Sequence, residues 1–289
     1  MLKLYLAEFM EQFSYEKEDQ QFLLEAFDQL KGTEEAYQEF DGFIKTYEGN
    51  CMSDFNIIRA RMKEVSKAAG IHEYTGNLLL FMCLSKTLKD HYREANYTDE
   101  MWAKIVNDLK WKMDECKEVY GICGTFVPDW YDRIFRLERF GFARLQFDLG
   151  RFKSNYEGNG IVLEPDSIVV NVHIPRTGTR LDREGMAAAY KAAAEFFKNP
   201  VFVCHSWLLY PRNKEILSET SNLAVFLSDY DIFEDGVYDN YKEVWRLFDK
   251  HYEGDVDALP QNSSLRRAYA DWIRKGEKIG WGYGVYVYK

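Results

Sequence analysis

The sequence predicts an α+β protein, an N-terminal helical bundle followed by a mixed α/β domain, and three observations lead there. From about Glu16 to Arg139 apolar residues recur at helical spacing; near Phe140 the period falls to two; beyond residue 160 short apolar strands alternate with helical segments. A chain of 289 residues is long for one core, so the change of period is read as a domain boundary, giving 1–137 and 138–289.

Within the first region, EDQQFLLEAFDQLK places Phe22, Leu23, Ala26, Phe27 and Leu30 on one stripe and so predicts a surface helix. TGNLLLFMCLSKTLKDHYREA is apolar almost all round at its start, which predicts a central helix. Gly32, Gly49–Asn50, Gly70, NYTDE and YGICGTFVPDW break the pattern into five or six helices. In the second region FGFARLQFDLGRFK alternates, with Ala143, Leu145 and Phe147 on one face and Phe142, Arg144, Gln146 and Asp148 on the other. GIVLEPDSIVVNVHIP reads as two strands joined into a hairpin at Glu164-Pro165-Asp166-Ser167. An alanine-rich helix over about 183–198 follows, then a strand in PVFVCHSWLL, a helix through NKEILSETSNLAVFLSDY, a strand in YDIFED, two further helices and a closing strand in WGYGVYVYK.

Composition narrows the function. A net charge of −10 argues against a nucleic-acid binder, which needs a concentrated positive surface. No stretch reaches the ~20 apolar residues that span a bilayer, and Glu8 and Glu11 interrupt any signal-peptide core, so the expected location is the cytoplasm, without a membrane partner. Cys51, Cys83, Cys116, Cys123 and Cys204 lack C-x-x-C pairing and read as reduced thiols. His72, His91, His173, His205 and His251 are scattered, with no zinc spacing, so no metal site is expected.

Chemistry gathers at two strand ends. The runs 167–174 and 201–206 are apolar but end in Asn171 and His173, and in His205 and Ser206. Ligands of open α/β sheets bind beyond such carboxyl ends. Between the first strand and its helix stands PRTGTRLDRE, where Arg176, Arg180 and Arg183 against Asp182 and Glu184 leave one net positive charge. Gly178 permits close backbone approach, Thr179 or Asp182 is placed to cap the helix, and a helix N-terminus attracts anions. An acyl-enzyme built on Cys204–His205–Ser206 is disfavoured, because adjacent strand side chains point to opposite faces, although His173 could reach Cys204 or Ser206 from the neighbouring strand.

Through GFARLQFDL, HIPRTGTRLD, FFKNPVFVCHSWLLYP and SNLAVFLSDYDI, spanning most of 141–232, the second region resembles the GNAT acyltransferase fold. Within it the chain is similar to a bacterial group with a helical N-acyltransferase N-terminal domain and a GNAT-like C-terminal domain. The resemblance implies that strands 167–174 and 201–206 splay apart to admit a pantetheine arm. It further implies that Ile174, Arg176, Thr177, Gly178, Thr179, Arg180 and Asn222 bind acetyl-CoA or another acyl-CoA as co-substrate, the 176–180 N–H groups taking the pyrophosphate. The family loop, Q/R-x-x-G-x-G/A, is one residue longer between its first residue and its glycine than Arg176-Thr177-Gly178. Tyr230 takes the place of the family's thiolate-protonating tyrosine, at altered spacing. On this reading the protein acylates an amine of a small-molecule or peptide acceptor by direct attack on the thioester. His173 and His205 are base candidates because imidazole titrates near neutrality, and Ser206 would orient a water or the acceptor. The alternative is a non-catalytic module that binds an acyl-CoA or another metabolite, and a third reading makes the α/β domain a scaffold for a helical partner-binding protein.

Overall fold

The computed structural model describes residues 1–289, with every side chain but that of Lys242. Two compact units divide it, Met1–Phe140 and Gly141–Lys289.

The first unit is helical: α1 (Leu2–Gln12), α2 (Lys17–Gly32), α3 (Glu34–Gly49), α4 (Phe55–Ala68), α5 (Glu73–Glu94), α6 (Asp99–Val106), α7 (Asp108–Tyr120) and the single turn α8 (Asp132–Phe135). The five or six helices expected become eight, because α1 precedes the stretch read as helical and the C-terminal segment breaks into short pieces. As its composition dictates, α5 is the axis: Thr75 to Ser85 are all buried. Burying each Leu or Phe there is worth about 1.5–3 kcal/mol. The α2 stripe is buried at Leu23, Ala26, Phe27 and Leu30, whereas Phe22 is 47% exposed and lies off the core. No described helix is long and apolar enough to cross a membrane.

The second unit is built on a six-stranded sheet ordered β1-β2-β5-β6-β8-β7, from β1 (Arg139–Phe142), β2 (Leu145–Arg151), β5 (Ile168–His173), β6 (Val201–Ser206), β7 (Asp231–Val237) and β8 (Gly280–Val287), with a separate pair, β3 (Tyr156–Gly158) and β4 (Ile161–Leu163). Its helices are α9 (Arg183–Phe197), α10 (Asn222–Ser228), the one-turn α11 (Trp245–Phe248) and α12 (Ser264–Arg274). Three expectations are corrected. FGFARLQFDLGRFK is two strands, broken at Ala143, whose φ of 45° is left-handed. Glu164-Pro165-Asp166-Ser167 does form a tight turn, with Ser167 N–H on Glu164 O at 3.0 Å and Asp166 at φ 70°, but it closes no hairpin: β4 pairs with β3 and β5 with β2. The helix expected from Asn213 onward is a 3-10 turn, Pro211–Glu215, followed by the two-turn α10, which Ser221 caps.

One sheet face carries Leu145, Phe147, Val170, Val172, Phe202 and Cys204 against Met186, Ala189, Tyr190 and Ala193 of α9 and Phe226 and Leu227 of α10. Alanines at 189 and 193 let α9 lie close to the strands. On the other face Val169, Val203 and Val285 meet Phe152, just past the end of β2, and Tyr156 and Leu163 of the small hairpin. After β6 the chain turns back over β8 through 207–209, and only a glycine at 282 allows this, since a Cβ there would stand 2.1 Å from Leu209 O.

Candidate functional site

Parallel pairing between β5 and β6 covers two residue pairs, Val170–Phe202 and Asn171–Val203, and then stops. β6 stays paired with β8 along its whole length to Ser206, and β5 stays paired with β2 to His173, so the division falls between the two central strands. Their facing N–H and C=O groups beyond Asn171 and Val203 therefore lack a strand partner across the gap. Such an opening is costly unless something fills it, because unpaired backbone groups seek hydrogen bonds.

Strand alternation sorts the side chains around this gap. Asn171 and Val203 share a face, so His173 and His205 lie on that same face, one on each bank. Opposite to the expectation that His173 reaches Cys204 or Ser206, those two belong to the α9 face. Burial pushes the Cys204 thiol up to about 12, which removes it as a nucleophile. The Ser206 hydroxyl accepts from Leu208 N–H at 3.2 Å and caps the turn after β6.

His173 has a partner that the sequence reading did not single out. Antiparallel register sets Asp148 opposite Asn171, one step diagonal from His173. His173 Nε2 donates to Asp148 Oδ2 at 2.8 Å, and Asn171 Nδ2 donates to Oδ1 at 2.8 Å. Asp148 is fully buried, while the His173 side chain keeps 23% exposure. A carboxylate only accepts, so the proton faces it on Nε2, and in the neutral ring the lone pair is then on Nδ1. This is the arrangement of a general base steered by a buried acid. The sequence signal was an aspartate between Phe147 and Leu149 on a strand, placed by alternation on the face opposite Leu145 and Phe147.

His205 is exposed and stacks on the Trp281 ring, centroids 4.6 Å apart, with Tyr283 at 5.9 Å. Partial burial lowers its pKa below the usual histidine range, only partly offset by Glu234. Tyr230 is buried on the α9 face, its hydroxyl 2.7 Å from that of Tyr190, and Tyr190 packs on Phe202. It also stands beside Gly284, the β8 partner of Cys204, one residue past the last β5–β6 pair.

The loop leading into α9 completes the geometry. Asp182 caps the helix, accepting from Gly185 N–H at 2.7 Å, which decides between the two cap candidates. Thr179 is exposed, its hydroxyl 2.7 Å from that of Thr177. Gly178 has φ 73°, and a Cβ there would meet nothing within 4 Å. Among the described residues no protein acceptor takes the N–H of Thr177, Gly178 or Arg180. Arg176 reaches the Asp249 carboxylate at 2.8 Å, which also pairs with Arg266. Ile174 packs at the edge of the α9-side core, and Asn222 opens α10 as its first residue. A left-handed glycine, open N–H groups and a helix N-terminus are what a diphosphate requires. Among the described residues no group of three or more His, Cys, Asp or Glu is placed to hold a metal ion.

Two family models match the chain: an N-acyltransferase N-terminal domain over residues 5–137 and a GNAT-like C-terminal domain over residues 137–286. No curated protein matches it. Among solved structures, an acyltransferase in complex with decanoyl-CoA is similar at 19% identity and TM-score 0.66, over 78% of this chain and 68% of that one. An acyltransferase in complex with decanoyl-CoA and teicoplanin is similar at 21% identity and TM-score 0.65, over 75% and 67%. A mutant acyltransferase in complex with octanoyl-CoA is similar at 20% identity and TM-score 0.65, over the same shares. These likenesses establish a common fold.

Proposed function

We propose, from the premise that this chain belongs to the acyltransferase family defined by an N-acyltransferase N-terminal domain and a GNAT-like C-terminal domain, that it moves the acyl group of an acyl-CoA onto an amine. The observation that carries the reading is the early end of β5–β6 pairing beside a loop whose N–H groups face no protein acceptor. On it, the amides of Thr177, Gly178 and Arg180 and the first turn of α9 hold the diphosphate. The pantetheine arm then lies along the gap and replaces the missing strand hydrogen bonds. The solved relatives with decanoyl-CoA and octanoyl-CoA support an acyl-CoA donor, and the one that also holds teicoplanin supports a small-molecule acceptor.

In this mechanism the amine nitrogen attacks the thioester carbon, the C–N bond forms, the C–S bond breaks, and CoA leaves as its thiolate. The thiolate becomes the thiol by taking up the proton that the amine gave to His173, directly or through solvent. His173 takes the amine's proton at Nδ1, directly or through one water, and Asp148 supports the imidazolium that forms. An N–H on the open edge of β6 bonds the developing oxyanion. His205, held toward its neutral form by burial, lines the opposite bank. Ser206 and Tyr230 take no part, since one caps a turn and the other is bonded to Tyr190.

The test is ligand-induced stabilisation by acetyl-, octanoyl- and decanoyl-CoA, joined to thiol release across a panel of amines. Ligand at 100 times its Kd adds about 2.7 kcal/mol to the folded state. Stabilisation together with amine-dependent release of CoA thiol supports the proposal. Stabilisation without release would favour a binding module, and neither would remove CoA from the account.

A further inference from the structure

We infer that Arg144 is a positioning residue for the donor's diphosphate, which it serves by holding the 175–179 loop in its anion-accepting form; this rests on the acyl-CoA reading above. Arg144 stands in the turn between β1 and β2, more than thirty residues before the loop. Its Nη1 donates to Pro175 O at 2.7 Å and its Nη2 to Thr179 O at 3.3 Å. One rigid guanidinium thus grips the loop at both ends from behind. With those two carbonyls drawn to Arg144, the intervening peptides of Thr177 and Gly178 are left with their N–H groups unclaimed by protein acceptors.

The charge balance at Arg144 is the second, independent observation. The residue is partly buried and its Nε is buried with no hydrogen-bond partner among the described residues. Its hydrogen-bonded partners are neutral carbonyls, and no carboxylate lies within ion-pair distance of it among the described residues. Asp182, near enough to act on it electrostatically, is already committed to capping α9. Burial accordingly lowers the guanidinium's pKa, with Asp182 opposing only in part. A desolvated cation without an ion-pair partner is costly in the free protein and is relieved when an anion arrives. Its Cβ lies 3.6 Å from where a Cβ on Gly185 would be, which sets it against the first turn of α9, behind the proposed diphosphate position. The charge adds to the helix N-terminus instead of cancelling it.

The experiment compares Kd for octanoyl-CoA with Kd for octanoyl-pantetheine, which lacks the phosphates, in the full-length protein and in R144Q and R144K. R144Q is expected to weaken octanoyl-CoA about 10- to 100-fold while leaving octanoyl-pantetheine within about twofold, the loss of a charge-assisted contact. R144K keeps the charge but cannot span both carbonyls, so about 3- to 10-fold is expected, again on octanoyl-CoA alone. Should R144Q fail to fold, R144K carries the same comparison. Equal losses for both ligands would overturn the inference and reduce Arg144 to a structural role. Wild-type protein that binds the two ligands equally would instead overturn the diphosphate reading beneath it, so the two failures are told apart.

Discussion

Replacing Asp148 with asparagine isolates the proton-handling part of the account. The carboxylate accepts from two donors, His173 Nε2 and Asn171 Nδ2, each at 2.8 Å. An amide has one acceptor oxygen, so in D148N one of those donors must yield. If Asn171 turns its own amide over, His173 keeps its tautomer and loses only the charge that supports its protonated form. A hydrogen bond to a charged group is worth about 1.5–3 kcal/mol against about 1 for a neutral one, a difference of about tenfold in rate. If instead the new NH2 faces His173, Nε2 must accept, the proton moves to Nδ1, and the base is lost; a wrong tautomer costs about 10⁴-fold in the Ser-His-Asp template. The assay is CoA thiol release with decanoyl-CoA and the best amine found, with the His173 ring nitrogens read by long-range ¹H–¹⁵N spectra. A fall in kcat of at least about tenfold, with KM for decanoyl-CoA within about twofold, is expected. A folded D148N protein with kcat within twofold of wild type would refute the dyad.

Tyr230→Phe is expected to keep kcat within about threefold while costing about 0.5–1.5 kcal/mol in chemical denaturation, because only the Tyr190 hydroxyl loses its partner. Gly178→Val puts a β-branched residue at φ 73° in open space, so it is expected to cost about 1–2 kcal/mol of stability through backbone strain and to weaken octanoyl-CoA by calorimetry. His205 binds its proton less well folded than unfolded, so its contribution is present above the unfolded pKa and is lost as pH falls from there toward the lower folded value. His205→Gln should flatten that acidic loss in denaturation curves taken across the interval, with no change above neutrality.

The sequence made the architecture legible where a single period ran long enough to count. The apolar start of α5, the apolar runs of β5 and β6 and the alanines of α9 each point to one packing solution, and the structure adopts it. The tight turn at Pro165–Asp166 follows from local chemistry and was equally readable, whereas local chemistry narrowed the cap of α9 only to Thr179 or Asp182. Three things were not. The break at Ala143 uses a left-handed non-glycine residue, which carries no sequence mark. The separation of β4 from β5 is set by which strands each finds elsewhere, a long-range choice invisible to local pattern. Asp148 and Arg144 act through contacts 25 and 31 residues away, so their roles appear only once β2 lies beside β5 and behind the loop. The histidine at the end of β5 was visible in the sequence, but the aspartate that steers it was not. Tyr230 was legible by residue type, but its hydroxyl contact with Tyr190, forty residues away, was not.

The central claim is that the loop before α9 receives a donor's diphosphate at the mouth of the gap between β5 and β6. It is tested most directly by amide-resolved ¹H–¹⁵N titration of the full chain with octanoyl-CoA and with octanoyl-pantetheine. The account predicts that the Thr177, Gly178 and Arg180 amides shift with the first and stay in place with the second, while residues along the gap respond to both. Binding of octanoyl-CoA that leaves those three amides unmoved would contradict it.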